Sequence, residues 1–373
     1  MRAGRTSQIP LQKTIGSPNS AARSGHSIPR AFYRIGTGIF LLLLVCLLPF
    51  AGHAQDAALI DAAKREGKVV WYTGLIVNQI VRPLCEAFQA KYGINATWSR
   101  HDENELALVF NNEIRANRIQ VDVMGSVAGI TDDVPTSELA AYTPPSLGDY
   151  PADYSTPDGL WRASNLIIHT AAINTNLVPA AEAPRTWQDL LDPKWQGKIA
   201  WTASPNLSGP PGFIGTVLTA MGDEAGMTYL RKLATQHLVN IQATPRAVLD
   251  QVIAGEYPLA LQIVNYHAEL SAAEGAPTTW LRIEPAAANL NYLGIVRRAP
   301  HPNAARLFMA YVMSEEGQAV FAKAGYIPAN PRIPALYPET KPSDGHYQAV
   351  LLTPEMAHAH FQEWLRTYNE LFK

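Results

Sequence analysis

Four short polar segments could hold a ligand, because each directly follows a stretch that resembles a β-strand. They are Thr73-Gly74-Leu75, Gly125-Ser126-Val127, Ser204-Pro-Asn-Leu-Ser208 and Asn265-Tyr266-His267. Their hydroxyl, amide and imidazole groups can donate and accept hydrogen bonds. Helices that begin nearby would add unpaired backbone N–H groups, which suit oxyanions. The same residue types also build ordinary turns, so each segment alone has that second interpretation.

Two arginines indicate the charge of such a ligand. Arg100 ends the second strand-like stretch and Arg246 begins a helical one, and no acidic residue stands at the loop tips. Arginine grips carboxylates and phosphonates with two parallel hydrogen bonds, while Tyr266 or Tyr292 could pack an apolar part. A solvated Arg100 and an Arg246 paired with Asp250 at i+4 are the alternatives. The candidate ligand-binding residues are Thr73, Gly74, Arg100, Ser126, Ser204, Asn206, Ser208, Asn265, Tyr266 and His267.

Catalytic motifs are missing from the sequence. It contains no Gly-x-Ser-x-Gly, His-Glu-x-x-His, Cys-x-x-Cys or phosphate-loop pattern. Asp122, Asp192 and Glu256 each suit a cap or turn, and nothing pairs them as an acid and a base. His358 and His360 are two residues apart, so a helix would place them on different faces. We therefore predict no enzyme, no catalytic residue, no cofactor and no metal.

The amino-terminal segment has the layout of a secretory signal peptide. Arg30 and Arg34 precede an apolar run from Ile39 to Phe50, which is too short to cross a bilayer as a helix and is followed by the small residues Gly52 and Ala54. We expect cleavage near Ala54 and a periplasmic location. An uncleaved membrane anchor is the alternative.

Charge and cysteine content narrow the class of protein further. Six of the 30 basic residues and none of the 32 acidic ones precede residue 55, so the exported part carries a formal charge of about −8. This charge disfavours nucleic acid as a partner. Only Cys85 remains after cleavage, which excludes an internal disulfide, and we expect this thiol to be buried.

Strand-like and helix-like stretches alternate along the exported part, which is typical of α/β folds with largely parallel sheets. The first unit is a strand at 68–72, an exit loop and a helix at 79–92 that Gly93 ends. A Pro-rich connector spans 142–159, and the tail is mainly helical. The main predicted helices lie at 79–92, 103–116, 212–221, 223–234, 246–254, 303–313, 315–324 and 353–372.

Several ordered blocks resemble the periplasmic solute-binding proteins related to ferric-ion-binding proteins. These blocks are Val69-Val-Trp-Tyr-Thr-Gly74, Trp187-Gln-Asp-Leu-Leu-Asp-Pro-Lys-Trp-Gln-Gly-Lys-Ile-Ala200, Ala254-Gly-Glu256, His301-Pro-Asn-Ala-Ala-Arg-Leu-Phe308, Ser314-Glu-Glu-Gly-Gln318 and Gly325-Tyr-Ile-Pro328. The resemblance implies an α/β, two-lobed type II periplasmic-binding-protein fold. Two mixed sheets flanked by helices would enclose a ligand cleft and hinge. Lobe one would hold residues 55–160 and 285–373, and lobe two residues 161–284.

The resemblance also raises the question of iron. Members that bind ferric ion use paired tyrosines, usually with a histidine and a carboxylate, because this hard ion prefers anionic oxygen. Here the pair position reads Tyr266-His267, Leu75 and Ile76 stand where a histidine is expected, and Ser126 is not joined by a carboxylate. Ferric iron is therefore an alternative to the anion.

These observations predict an exported solute-binding protein that delivers a small anionic organic or phosphorus-containing solute to an ABC importer by hinge closure. Its partners would be the solute and the ABC permease in the inner membrane, with no nucleic acid, and the chain would be a monomer. A ligand sensor for a membrane receptor and a secreted hydrolase are the alternatives of another class.

Overall fold

The computed structural model describes residues 50–101, 103–127 and 134–373. By its internal contacts the chain divides into two compact units, residues 1–53 and 54–373. The basic and apolar parts of the predicted signal peptide lie outside the described residues. Within the described ranges, no helix is both long enough and apolar enough to cross a membrane.

Twelve strands form one connected sheet. The central order is β2-β1-β3-β10-β5-β8-β6-β7, with β4 and β12 pairing with β10, and β9 and β11 pairing with β5. The strands are β1 (Lys68–Thr73), β2 (Asn95–Arg100), β3 (Val123–Val127), β4 (Leu139–Ala140), β5 (Trp161–Asn174), β6 (Ile199–Thr202), β7 (Val239–Ile241), β8 (Leu259–Val264), β9 (Thr278–Leu281), β10 (Ala286–Val296), β11 (Ile327–Pro328) and β12 (Ala349–Leu351).

Helices flank this sheet. They are α1 (Phe50–Glu66), α2 (Arg82–Tyr92), α3 (Glu103–Arg115), α4 (Pro210–Met221), α5 (Asp223–Ala234), α6 (Pro245–Ala254), α7 (Asn265–Ala273), α8 (Pro302–Val312), α9 (Glu315–Lys323), α10 (Pro342–Gly345) and α11 (Pro354–Leu371). A π-helical turn (Val77–Val81) precedes α2, and 3₁₀ turns occupy much of the predicted connector. The mixed α/β prediction is confirmed.

Two long strands join the halves of the sheet. All residues of β5 and β10 are buried, because both faces of these strands are covered. β10 runs antiparallel to β3 and to β5, and β5 runs antiparallel to β8. On either side lie parallel pairs, β1 with β2 and β3, and β6 with β7 and β8. The two expected sheets are therefore connected through β5 and β10.

The predicted helix boundaries agree with the structure to within a few residues where apolar periodicity is strong. Gly93 ends α2 with φ of 71°, a left-handed conformation that glycine adopts without strain. Cys85 is buried in α2, as expected. The sequence did not reveal α7, which begins directly after β8 where only a polar loop was expected.

The last helix packs on α4, which lies within the region expected to form lobe two. An added Cβ at Gly215 in α4 would lie 2.8 Å from the ring of Trp364 in α11. Phe372, beyond the end of α11, packs its ring 4.9 Å from Trp201 of β6. We therefore propose that residues 354–373 belong with lobe two rather than lobe one, because their apolar contacts are with α4 and β6. The remaining lobe boundaries stay predictions.

Candidate functional site

A cleft of about 740 Å³ lies where several strands end. β1, β3, β6 and β8 each contribute residues from their carboxyl ends or from the loops that follow, as is usual for ligand sites in open α/β sheets. Seven of the ten candidate residues line it: Gly74, Arg100, Ser204, Asn206, Ser208, Tyr266 and His267. The chain thus brings together loops that are almost 200 residues apart in sequence.

Three candidates do not contribute a described side chain to the cleft. Thr73 is fully buried, and its Oγ1 accepts a hydrogen bond from the Leu75 N–H at 3.2 Å. Asn265 is also fully buried, and its amide donates to the Thr340 carbonyl at 2.7 Å. The Ser126 side chain lies outside the described residues. Thr73 and Asn265 therefore support the lining of the cleft without forming part of it, because their polar groups are hydrogen-bonded within the protein.

Both arginines considered from the sequence line the cleft. Arg100 is exposed, and its Nε lies 3.4 Å from the carbonyl oxygen of Gly74. Arg246 forms the expected ion pair with Asp250 at 2.9 Å and donates to the Ser271 hydroxyl at 3.0 Å. Among the described lining residues, Glu105 is the one carboxylate. The lining side chains therefore carry one net positive charge, which Asp250 partly offsets through its ion pair with Arg246.

The segment 204–212 is folded too tightly for side chains at two positions. A Cβ at Gly209 would lie 2.0 Å from the Ser204 carbonyl oxygen, and one at Gly212 would lie 1.9 Å from that of Leu207. α4 then begins with Pro210-Pro211, which have no N–H groups, and the Gly209 N–H already donates to Asn206. The amino terminus of α4 therefore offers an anion fewer backbone donors than expected, which leaves the side chains of Ser204, Asn206 and Ser208.

An aromatic pair lines the cleft beside these loops. The rings of Tyr266 and Tyr326 lie 5.0 Å apart, and the Ile76 N–H donates to the Tyr326 hydroxyl at 3.4 Å. Burial raises the pKa of Tyr266 well above its usual value and that of Tyr326 to about 12, so both phenols are protonated in the free protein. Tyr292, the other aromatic candidate, is buried away from the cleft in β10.

Two histidines complete the inner wall. Burial lowers the pKa of His169, on β5, to about 4. It lowers the pKa of His267 to about 3, with Arg246 and His169 adding to the effect. Both imidazoles are therefore neutral at neutral pH. Sequence reasoning missed His169, Asn291 and Tyr326, because each lies within a buried strand or a short return segment that carries no loop pattern.

A family model described as bacterial extracellular solute-binding protein matches residues 128–348. Iron uptake protein A1 of Synechocystis is 23% identical over 316 residues, which cover 80% of this chain and 85% of that protein.

Solved structures show the same fold. A Trichodesmium protein, IdiA or FutA in complex with iron and citrate ligands, superimposes with a TM-score of 0.68 at 20% identity and covers 82% of this chain and 100% of that one. AfuA of Actinobacillus pleuropneumoniae, with exogenous fructose-6-phosphate bound, gives 0.65 at 19% identity over 82% and 98%. These likenesses confirm the predicted type II periplasmic-binding fold, and the family match covers more than half of the sequence. The chain belongs to the bacterial extracellular solute-binding proteins.

Proposed function

We propose that the cleft captures a small organic or phosphorus-containing anion and that the protein delivers it to an ABC importer. The observation that carries this proposal is that Arg100 and Arg246 line one cleft in which Glu105 is the one described carboxylate. Guanidinium groups bind carboxylates and phosphonates through paired, charge-assisted hydrogen bonds. Tyr266 and Tyr326 would pack against the apolar part of such a ligand.

The delivery mechanism follows from the position of the cleft between the two halves of the sheet. The ligand would bind one lobe, the other lobe would close over it, and the closed form would dock on the permease. β5 and β10 connect the halves and are the natural hinge. In this proposal the protein acts as a periplasmic monomer after cleavage near Ala54, without nucleic acid and without catalysis.

Ferric iron is the second candidate, and one observation favours it. Tyr326 supplies a second tyrosine beside Tyr266, which the sequence had not placed there. Five of the similar proteins are named for iron or ferric ion or contain iron. The guanidinium of Arg100, together with that of Arg246, whose charge Asp250 partly offsets, opposes a trivalent cation, so we rank iron below the anion.

A thermal-shift screen over phosphonates, carboxylates, polyamines, thiamine and ferric salts tests this ranking, because a ligand that binds only the folded state raises the melting temperature. We expect anions to stabilise the protein and polyamines to have no effect. Arg100→Gln and Arg246→Gln should each reduce the anion shift, whereas Arg306→Gln, a change at an exposed arginine of α8, should not. A ferric–tyrosinate absorption band without any anion response would overturn the ranking.

A further inference from the structure

The inner wall of the cleft contains polar atoms that no protein group satisfies. Both ring nitrogens of His267, Nε2 of His169 and Oδ1 of Asn291 are buried without a hydrogen-bond partner among the described residues. All three residues line the cleft. Leaving a buried polar atom without a partner costs free energy, so a group that supplies the missing hydrogen bond is favoured. Four of them on one wall of a cleft therefore indicate a ligand that completes their hydrogen bonds.

The protonation state of the imidazoles limits what that ligand can be. A neutral imidazole offers one N–H donor and one bare nitrogen that accepts. Asn289 Nδ2 lies 3.4 Å from His169 Nδ1, an arrangement that places the proton of His169 on Nε2. His267 then contributes one donor and one acceptor, and Asn291 contributes an acceptor. The wall thus presents donors and acceptors together.

A bare oxyanion does not match this wall. Its oxygens only accept hydrogen bonds, so the acceptors on His267 and Asn291 would stay unsatisfied. An ammonium group could donate to them, but the Arg246 guanidinium lies 3.4 Å from the His267 carbonyl oxygen and would repel a second cation there. A hydroxyl group both donates and accepts without adding charge. It is the ligand group that satisfies both kinds of atom.

We propose that His169, His267 and Asn291 recognise the hydroxyl groups of a hydroxylated organic anion, whose charged end meets Arg100 and Arg246. This inference rests on the proposed function and specifies its ligand class. These three residues should make the site selective for hydroxylated ligands. A ligand without the hydroxyl would form fewer hydrogen bonds and would leave the polar groups of the site buried and unpaired.

Matched pairs of anions test this selectivity by calorimetry on the exported chain. The probes are glycerol 3-phosphate against propyl phosphate, and gluconate against hexanoate. We expect the hydroxylated member of at least one pair to bind the native protein at least tenfold more tightly. His267→Leu should abolish this preference, His267→Asn should retain part of it, and His360→Gln, at an exposed histidine of α11, should leave it unchanged. His169→Leu should reduce the preference as well; if that variant does not fold, the His267 variants carry the test.

The outcomes separate the two proposals. If the two members bind equally in both pairs, or if glycerol and both hydroxylated anions all fail to bind, the hydroxyl inference is wrong. Free glycerol is the uncharged probe. If glycerol binds and neither glycerol 3-phosphate nor propyl phosphate does, the anion proposal is wrong and the hydroxyl inference stands. Ferric binding with a charge-transfer band that His267→Leu removes would assign these nitrogens to a metal and overturn the inference.

Discussion

Tyr266 and Tyr326 come from segments 60 residues apart and place their rings 5.0 Å from each other on one wall of the cleft. Tyr266 belongs to the first turn of α7, while Tyr326 follows α9 and precedes β11. This aromatic pair therefore forms only when the segment between α9 and β11 lies next to α7. Ligand affinity should depend on both segments.

Tyr266→Ala should weaken binding of the strongest anion from the thermal-shift screen at least tenfold, which corresponds to ~1.4 kcal/mol. Tyr266→Phe should retain most of the affinity, because the ring packs against the ligand while the hydroxyl is not needed for an anion. Asn265→Ala should lower the melting temperature, since its amide holds Thr340. Calorimetry and thermal denaturation measure the two effects, and unchanged affinity of Tyr266→Ala would remove this tyrosine from the site.

Acid should destabilise the folded protein through its cleft histidines. Their folded pKa values, about 4 for His169 and about 3 for His267, lie below the usual 6.5. Between roughly pH 4 and 6.5 the unfolded chain binds more protons than the folded one, so the free energy of unfolding should decrease as the pH falls. Urea unfolding at several pH values measures this slope. His267→Gln should flatten it and His360→Gln should not; equal slopes in all three proteins would contradict the assignment.

Gln262 should tolerate glycine better than alanine, the reverse of the usual order in a strand. Its φ is 57° within β8, a left-handed conformation that costs most side chains about 1–2 kcal/mol. Its Nε2 donates to the Gly209 carbonyl at 3.0 Å. Both Gln262→Gly and Gln262→Ala lose that bond, but only glycine relieves the backbone. Chemical denaturation should rank the glycine variant as more stable, and the opposite order would show that no strain is present.

Gly215→Ala should destabilise the protein although alanine is the better helix former. The added Cβ would lie 2.8 Å from the Trp364 ring, and overpacking a core contact costs about 1–3 kcal/mol. Gly148→Ala is the matched control, because no atom lies within 4 Å of its added Cβ. Equal melting temperatures for both variants would mean that α11 does not pack tightly on α4.

Sequence periodicity predicted the α/β class and most helices, because amphipathic helices such as α5 and α8 repeat apolar residues on one face. It could not reveal α7, whose buried residues apart from Tyr266 are small or polar and form no such stripe. The loops after strands predicted seven lining residues. His169 and Asn291 escaped prediction because β5 and β10 are buried on both faces, so nothing in the sequence marks the positions that face the ligand.

The two prolines at the start of α4 also affect the entropy of ligand binding. Proline restricts the backbone of the unfolded and the folded chain alike, and Gly209 and Gly212 permit the close turns of the preceding loop. The segment that presents Ser204, Asn206 and Ser208 is thus ordered before a ligand arrives. Binding to it should therefore involve little loss of backbone entropy, so this part of the cleft acts as a preorganised template for the ligand.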